Sequence, residues 1–222
     1  MKFEVNLKGS YSILFVELEP GEAVKAETGA MVSIEGDVDI ETSTGGILKA
    51  LKRTVLGGES FFMNTFRAKN RARIGFAPLL PGDIEVLDLS GTIYVQSSSF
   101  LASETQIDID TKFGGFKSFF AGEGFFLLKI SGMGKVALSS FGGIYSKELD
   151  VGEKMIVDTG HVVAFEESVK YSVRTFGGLK SFLFGGEGLI VEFTGPGRVY
   201  IQTRNYPDFV EWIKVLVKRF RE

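Results

Sequence analysis

The chain has 222 residues, of which 44% are hydrophobic and 24% charged, a composition that is typical of a folded globular protein and excludes a disordered one. Its 25 basic and 28 acidic residues give a formal net charge of −3, so it lacks the basic excess of a dedicated duplex-binding protein. The absence of cysteine excludes disulfides, thiolate catalysis and cysteine-ligated metal centres, and is consistent with a reducing compartment.

The first residues alternate apolar with polar side chains and include Glu4, a pattern that predicts a β-strand rather than a secretory signal. We do not expect these residues to form a transit peptide. Elsewhere Lys, Glu or Gly interrupts each apolar run before it reaches the roughly eighteen residues that a bilayer-spanning helix needs. We therefore expect a cytoplasmic protein.

An apolar motif flanked by glycines occurs three times along the chain. It reads TGGILKALKRTVLGGES at 44–60, FGGFKSFFAGEG at 113–124 and FGGLKSFLFGGEG at 176–188. Glu59, Glu123 and Glu187 follow a glycine in the three copies, at equal spacing. The chain is therefore predicted to be a tandem triplication.

The similarity among the three copies continues on both sides of this motif. Upstream, 18–42, 79–103 and 149–175 each show turn, strand, turn and strand, with Ser90–Gly91 matched to Thr28–Gly29. Downstream, SGMGKVALSS at 131–140 matches TGPGRVYIQT at 194–203, and we predict a glycine-framed hairpin turn in each.

These patterns predict an all-β fold. Strict alternation, as at 135–139 and 169–173, turns one face of each strand inward, as in a β-sandwich or barrel. We predict three β modules, at 1–78, 79–148 and 149–205, that form one compact unit.

The last residues, 206–222, are predicted to form an amphipathic helix. Pro207 and Asp208 suit a first helical turn. The predicted docking face comprises Phe209, Trp212, Ile213, Leu216 and Phe220. The helix lies either on the body or a neighbouring subunit, or on a membrane surface.

The stretches LKRTVLGGESFFMNTFRA at 51–68, SSSFLAS at 97–103 and 109–144 resemble a widespread family of uncharacterised proteins, which includes a eukaryotic protein named for altered inheritance of mitochondria. The resemblance implies a fold similar to that of the tryptophan RNA-binding attenuation protein (TRAP), with β modules about a pseudo-threefold axis. It carries over no catalytic residue and implies at most a membrane-proximal scaffold. The tryptophan-pocket residues and RNA-contacting lysines of TRAP find no counterpart here, so nucleic acid is not an expected partner.

Two sets of residues are candidates for catalysis or metal binding. His161 is the only histidine, and the matched positions carry Ala30 and Thr92, which favours a structural role. Asp108 and Asp110 share a strand face and form either a hard-cation site with Asp83 or Asp88, or solvated carboxylates.

The glycine and serine motifs do not predict catalysis. Gly132–Gly134 and Gly195–Gly197 precede no helix that could hold a phosphate. Ser97–Ser99 has no neighbouring base in the sequence. We therefore predict a protein that is not an enzyme and has no cofactor or resident metal.

The remaining predicted site residues lie in the repeated motifs. Glu59, Glu123 and Glu187 form either an acidic ring for a cation or basic partner, or local acceptors for loop amides. The candidate interaction loops contain Leu48, Leu51, Phe116, Phe119, Phe120, Leu179, Phe182 and Phe184, with basic residues beside them. These apolar side chains plug their own barrels, meet another subunit or contact a membrane surface.

The sequence thus predicts a non-enzymatic homo-oligomeric scaffold or binding protein that is cytoplasmic, either free or peripheral to a membrane. The alternative is a small-ligand-binding protein with its site between β modules.

Overall fold

The computed structural model describes residues 1–43, 61–110, 126–175 and 189–219. In these ranges the chain consists of antiparallel β-strands, two 3-10 turns and one terminal helix. The predicted all-β class is therefore confirmed, as is the strand at the start of the chain, β1 (Lys2–Asn6).

The first structural unit follows β1 and contains six short strands. They are β2 (Ile13–Leu18), β3 (Ala23–Glu27), β4 (Met31–Glu35), β5 (Val38–Ser43), β6 (Met63–Ala68) and β7 (Ala72–Phe76). Leu14, Val16 and Leu18 are fully buried while their neighbours are half-buried, so the period-two pattern of the sequence sets the inner face of β2.

The second unit runs through fewer and longer strands. These are β8 (Ile84–Gln96), β9 (Phe100–Glu104), β10 (Asp108–Asp110) and β11 (Leu127–Ser139), with a 3-10 turn at Ser97–Ser99 between β8 and β9. β8 and β11 have 13 residues each and pair along their whole length.

The third unit again has six strands and ends in the helix. Its elements are β12 (Ile144–Leu149), β13 (Lys154–Asp158), β14 (Val162–Glu166), β15 (Lys170–Thr175), β16 (Leu189–Thr194), β17 (Gly197–Gln202) and α1 (Tyr206–Arg219). A 3-10 turn at Thr159–His161 joins β13 to β14. β12 begins upstream of the predicted boundary at residue 149 and pairs with β17.

The same order of pairings occurs in all three units. The sixth strand pairs with the first and the third, in β2·β7·β4 and β12·β17·β14, while the fifth pairs with the second and the fourth, in β3·β6·β5 and β13·β16·β15. In the second unit β8 serves as first and second strand and β11 as fifth and sixth, with β9 and β10 as third and fourth. A pseudo-threefold axis and the likeness to TRAP stay predictions.

Neighbouring units are joined by strand pairing. β3 pairs with β9, where Lys25 lies opposite Ser103, and β8 pairs with β14, where Tyr94 lies opposite Phe165. The long central sheet therefore contains strands from all three units. The buried clusters cross these joints too, since Leu101 packs with the first unit and Val163 with the second.

The predicted hairpin turn at Gly132–Gly134 is wrong. Gly132 (φ +132°) and Gly134 (φ +149°) lie inside β11, opposite Gly91 (φ +129°) and Leu89 in β8. Because glycine tolerates positive φ, β8 and β11 can bend at these positions and stay paired within one sheet, without a turn.

The other two matched turns need correction as well. Gly195 and Pro196 separate β16 from β17, which belong to different sheets, so this segment is a crossing rather than a hairpin. Ser90–Gly91 lies within β8, so the counterpart of Thr28–Gly29 in the second unit is Ser97–Ser98. The position equivalent to His161 is therefore Ser99 rather than Thr92.

The predicted terminal helix is confirmed. α1 begins at Tyr206 and has Asn205 as its N-cap, whose side-chain oxygen accepts a hydrogen bond from the amide of Asp208 at 3.4 Å. The Phe209 ring meets that of Phe141 edge to face at 5.3 Å, so the first turn packs on the body. The part of the chain that the structure describes has no helix long and apolar enough to cross a membrane.

Candidate functional site

A cleft of about 350 Å³ lies where the three units come together. The walls contain phenyl rings, hydroxyls and one carboxylate from separate stretches of the chain. Among the lining residues are Glu27, Thr28, Phe61, Phe62, Ser97, Ser98, Phe126, Ser139, Ser140, Phe141, Gln202 and Tyr206. Glu27 is the only charged residue among those lining residues, so the cleft does not suit a phosphate.

One wall is formed by the 3-10 turn at Ser97–Ser99. Ser97 and Phe126 hydrogen-bond to each other, through the Ser97 amide and the Phe126 carbonyl oxygen at 2.8 Å and the Phe126 amide and Ser97 Oγ at 3.4 Å. Phe61 packs edge to face against Phe126, at 6.4 Å between ring centroids. This wall therefore joins the first and second units at the cleft.

Another part of the lining contains Gln202, at the end of β17. Gln202 Oε1 accepts from the Phe141 amide at 2.9 Å, and its Nε2 donates to the Gly160 carbonyl oxygen at 2.9 Å. His161 Nδ1 lies 2.7 Å from the Gln202 carbonyl oxygen. The imidazole is thus held by main chain next to the cleft, as its structural interpretation predicts, and it is not a lining residue.

Asp83 organises the backbone next to Ser140. Its Oδ1 accepts hydrogen bonds from Ser12 Oγ at 2.7 Å and from the amides of Gly9 and Ile84 at 3.1 and 2.8 Å. Partial burial opposes ionisation of this carboxyl, but the three donors outweigh it and lower the pKa of Asp83. Asp83 is therefore a structural anchor for the chain entering β8.

The hard-cation alternative for Asp108 and Asp110 is not assembled among the described residues. In the described ranges no three His, Cys, Asp or Glu residues are grouped so that they could hold a metal ion. Asp88 instead pairs with Lys135, and Asp83 makes the contacts above. Of the alternatives for these residues, the geometry favours ordinary strand carboxylates.

A second concavity of about 540 Å³ follows β8 and carries more acid than base. Its charged lining residues are Glu85, Asp88, Glu166, Glu167 and Arg198. Ion pairs link Arg198 to Glu148 at 2.9 Å and Glu167 to Lys129 at 3.4 Å. Both ion pairs are solvent-exposed, so each contributes little to stability.

Sequence reasoning missed a repeated glutamate at the end of the third strand of each unit. Glu35 pairs with Arg73 at 3.7 Å, Glu104 with the side chain of Gln106, and Glu166 Oε2 accepts from the Arg198 amide at 3.0 Å. The signal was present as SIE, ASE and AFE, but aligning Ser90–Gly91 with Thr28–Gly29 hid it.

Most of α1 beyond its first turn is exposed. Trp212 is 58% and Ile213 39% exposed, whereas Phe209 and Leu216 are half-buried. The predicted docking face therefore contacts the body at Phe209 and presents Trp212 and Ile213 outward.

The remaining predicted site residues lie outside the described residues. They are the loop residues Leu48, Leu51, Phe116, Phe119, Phe120, Leu179, Phe182 and Phe184, the glutamates Glu59, Glu123 and Glu187, and Phe220.

Three comparisons with known proteins agree with one another. A protein of Streptococcus pyogenes serotype M6, "Uncharacterized protein M6_Spy0233", is 29% identical over 225 residues, covering 96% of this chain and 90% of that protein. "Altered inheritance of mitochondria protein 24, mitochondrial" of Verticillium alfalfae is 28% identical over 172 residues, covering 75% of this chain and 44% of that protein.

The crystal structure of protein SPYM3_0169 from Streptococcus pyogenes superposes with a TM-score of 0.81 at 27% identity, covering 97% of this chain and 99% of that one. The model of the family described as "Mitochondrial biogenesis AIM24" matches residues 3–204. The family resemblance noted in the sequence is thereby confirmed, and the chain belongs to the AIM24 family.

Proposed function

We propose that this protein is a non-enzymatic, self-associating cytoplasmic scaffold that attaches to an anionic membrane surface through α1. The single observation that carries the proposal is the exposure of Trp212 and Ile213 on a helix whose first turn is anchored to the body. An apolar helix face that is exposed to water stabilises neither the helix nor the fold. Covering that face with an apolar partner is favourable, because it removes apolar surface from water.

The charges of α1 favour a membrane surface over a neutral partner. Between Glu211 and the end of the described side chains at residue 218, the charged residues of the helix are both basic, Lys214 and Lys218. A helix with Trp, Ile, Val and Leu between lysines suits the headgroup boundary of an anionic bilayer.

The chemistry of the described residues is compatible with a non-enzymatic role. The cleft hydroxyls of Ser97 and Ser98 have no imidazole beside them among the lining residues, and His161 is held by a main-chain oxygen.

Trp212 is the only tryptophan, so its fluorescence reports on α1 directly. We expect its emission to shift to shorter wavelength on addition of vesicles containing phosphatidylglycerol, and the protein to co-sediment with them. Pure phosphatidylcholine vesicles should give a smaller effect because the lysines gain nothing there.

A matched pair of variants locates the contact. Ile213→Asp should abolish the spectral shift, whereas Ile40→Asp, the same change at a 48% exposed position of β5, should leave it intact. Equal binding by the two variants, or an unchanged wild-type spectrum with anionic vesicles, would contradict the membrane attachment.

The cleft between units supports a second candidate function, the binding of a small neutral or cationic amphiphile. Its volume, its phenyl rings and its hydroxyls suit such a ligand, and Glu27 would favour a positive charge. A ligand for the folded state must raise the melting temperature. We therefore expect amines or aromatic amino acids, rather than nucleotides, to stabilise the protein.

Filling the cleft provides the control for that screen. Ser98→Phe places a ring in the cleft from an exposed position, and Ser10→Phe makes the same change at an exposed position that does not line it. Only Ser98→Phe should remove the thermal shift, and its loss in both variants would count against the cleft as the site.

A further inference from the structure

Two strand edges break the rule by which the three units are joined. In each joint, the second strand of one unit pairs with the third strand of the next: β3 with β9, and β8 with β14. Among the described strands, β4 is the third strand of the first unit and pairs with β7 alone. β13 is the second strand of the third unit and, within the described ranges, pairs with β16 alone.

The burial of β4 differs from that of its two counterparts. Residues 100–103 of β9 and 162–165 of β14 are all fully buried. In β4, Met31 and Val32 are exposed, and Ser33 and Ile34 are only half-buried. Val32 is 56% exposed, while the equivalent Leu101 and Val163 are 0% exposed.

β13 shows the complementary difference. Val24 in β3 and Ile93 in β8 are buried by the neighbouring unit, whereas Met155 at the equivalent position is only half-buried. Ile156, at the position of Lys25 and Tyr94, is 51% exposed.

The two internal joints share one register. Opposite pairs are Val24 with Glu104, Lys25 with Ser103 and Ala26 with Ala102 in the first joint, and Ile93 with Glu166, Tyr94 with Phe165 and Val95 with Ala164 in the second. Transferring this register to the free edges predicts Met155 opposite Glu35, Ile156 opposite Ile34 and Val157 opposite Ser33.

Neither free edge has a feature that would prevent pairing. β4 reads MVSIE and β13 reads KMIVD, so each carries three apolar residues in five, with no proline and no lysine in the middle. A cross-strand pair of Ile34 and Ile156 would be aliphatic, which favours sheet formation.

We propose that β4 of one copy of this chain pairs with β13 of a second copy, head to tail and in the register of the internal joints. The proposal rests on the proposed function only in that self-association is part of the scaffold role. Because the two surfaces differ, each added copy leaves one β4 and one β13 free. Growth therefore stops only when a ring closes, and otherwise gives a filament.

The test uses the full chain and two edge variants at exposed positions. Val32→Asp disables β4 and leaves β13 intact, while Ile156→Asp disables β13 and leaves β4 intact. By sedimentation velocity we expect the wild type to be oligomeric at micromolar concentration and each variant to have the mass of one chain. Ile40→Asp, on the edge strand β5, should sediment like the wild type, and a cooperative thermal unfolding transition in each variant would show that it folds.

Mixing the two variants provides the decisive measurement. One intact β4 and one intact β13 remain, so the mixture should form a dimer that contains one copy of each variant and grows no further. A double variant that carries both Val32→Asp and Ile156→Asp in one chain should stay monomeric. A mixture that forms no dimer, or single variants that sediment like the wild type, would overturn the edge pairing.

The outcome also separates this inference from the scaffold role. Oligomers that neither substitution affects would refute the β4·β13 contact and leave the scaffold standing. A wild type that is monomeric at every concentration would refute the contact and the self-association, while membrane attachment through Trp212 is decided separately by its fluorescence.

Discussion

Truncating Phe165 should destabilise the protein strongly, because this ring stands at the joint between the second and third units. Phe165 is 0% exposed and lies opposite Tyr94 across the β8·β14 pairing. Its ring centroid is 5.3 Å from that of Tyr94, 5.3 Å from that of Tyr171 and 5.1 Å from that of Phe193. Phe165→Ala removes all three ring contacts at once.

The expected cost follows from the burial of the ring. A buried Phe→Ala change lowers the free energy of unfolding by about 3–5 kcal/mol, from the lost transfer free energy and the cavity left behind. For a chain of this length each kcal/mol shifts the melting temperature by about 2–4 °C, so we expect a decrease on the order of 6–20 °C.

Thermal unfolding by circular dichroism and urea titration would measure this change. Tyr11→Ala is the control, since Tyr11 is 74% exposed and its truncation should have almost no effect. A cycle with Phe165→Leu and Phe193→Leu should show a coupling of about 0.5–1.5 kcal/mol. A melting temperature within about 2 °C of the wild type for Phe165→Ala would refute the reasoning, because so small a shift means less than about 1 kcal/mol.

Two further predictions concern polar and backbone contacts. Asp83→Asn should cost roughly 1–2 kcal/mol at pH 7, since three donors then lose a charged acceptor. The folded-state pKa of Asp83 is lowered, so its stabilisation is present above the unfolded value of 3.8 and is lost as the pH falls through the folded value. Urea titrations at pH 7 and pH 3 should therefore show the wild type and variant converging in acid, and a constant difference would contradict this. Gly197→Ala should destabilise more than Gly91→Ala in thermal melts. The two glycines have φ of +130° and +129°, but a Cβ at Gly197 would lie 2.4 Å from Ser168 Oγ and 2.9 Å from Val169 Cγ2, whereas Gly91 has nothing within 4 Å. Equal decreases in melting temperature for the two variants would mean that backbone strain alone accounts for the loss of stability.

The elements that sequence reasoning predicted correctly are those with a local signal. Period-two alternation located strands such as β1 and β15, and the spacing of Phe209, Trp212 and Ile213 located α1. The family resemblance could also be recognised from the sequence, because the repeated glycine-flanked motifs are continuous stretches of sequence.

The errors came from glycines whose role depends on distant strands. Gly91, Gly132 and Gly134 look like turn residues, yet β8 and β11 hold them in an extended pair. Whether a positive-φ glycine reverses the chain or bends it depends on the partner strand, and the sequence does not contain that information locally.

The candidate site was less predictable for the same reason. The cleft gathers Glu27, Ser97, Ser140 and Gln202 from separate parts of the chain, and no spacing rule connects them. Similarly, the exposure of β4 is visible only by comparison with β9 and β14, because MVSIE taken alone resembles any half-buried strand.

The strand pairing between neighbouring units has a consequence for cutting this protein into fragments. A fragment ending near residue 78 would expose the outer side of β3, and one starting near residue 142, before β12, would expose that of β14, because β9 and β8 normally cover them. A protease that nicks the chain in the connections near residue 78 or residue 142 should therefore leave the pieces bound together. Truncated fragments expressed alone should precipitate or pair with themselves through the strands that the cut uncovers.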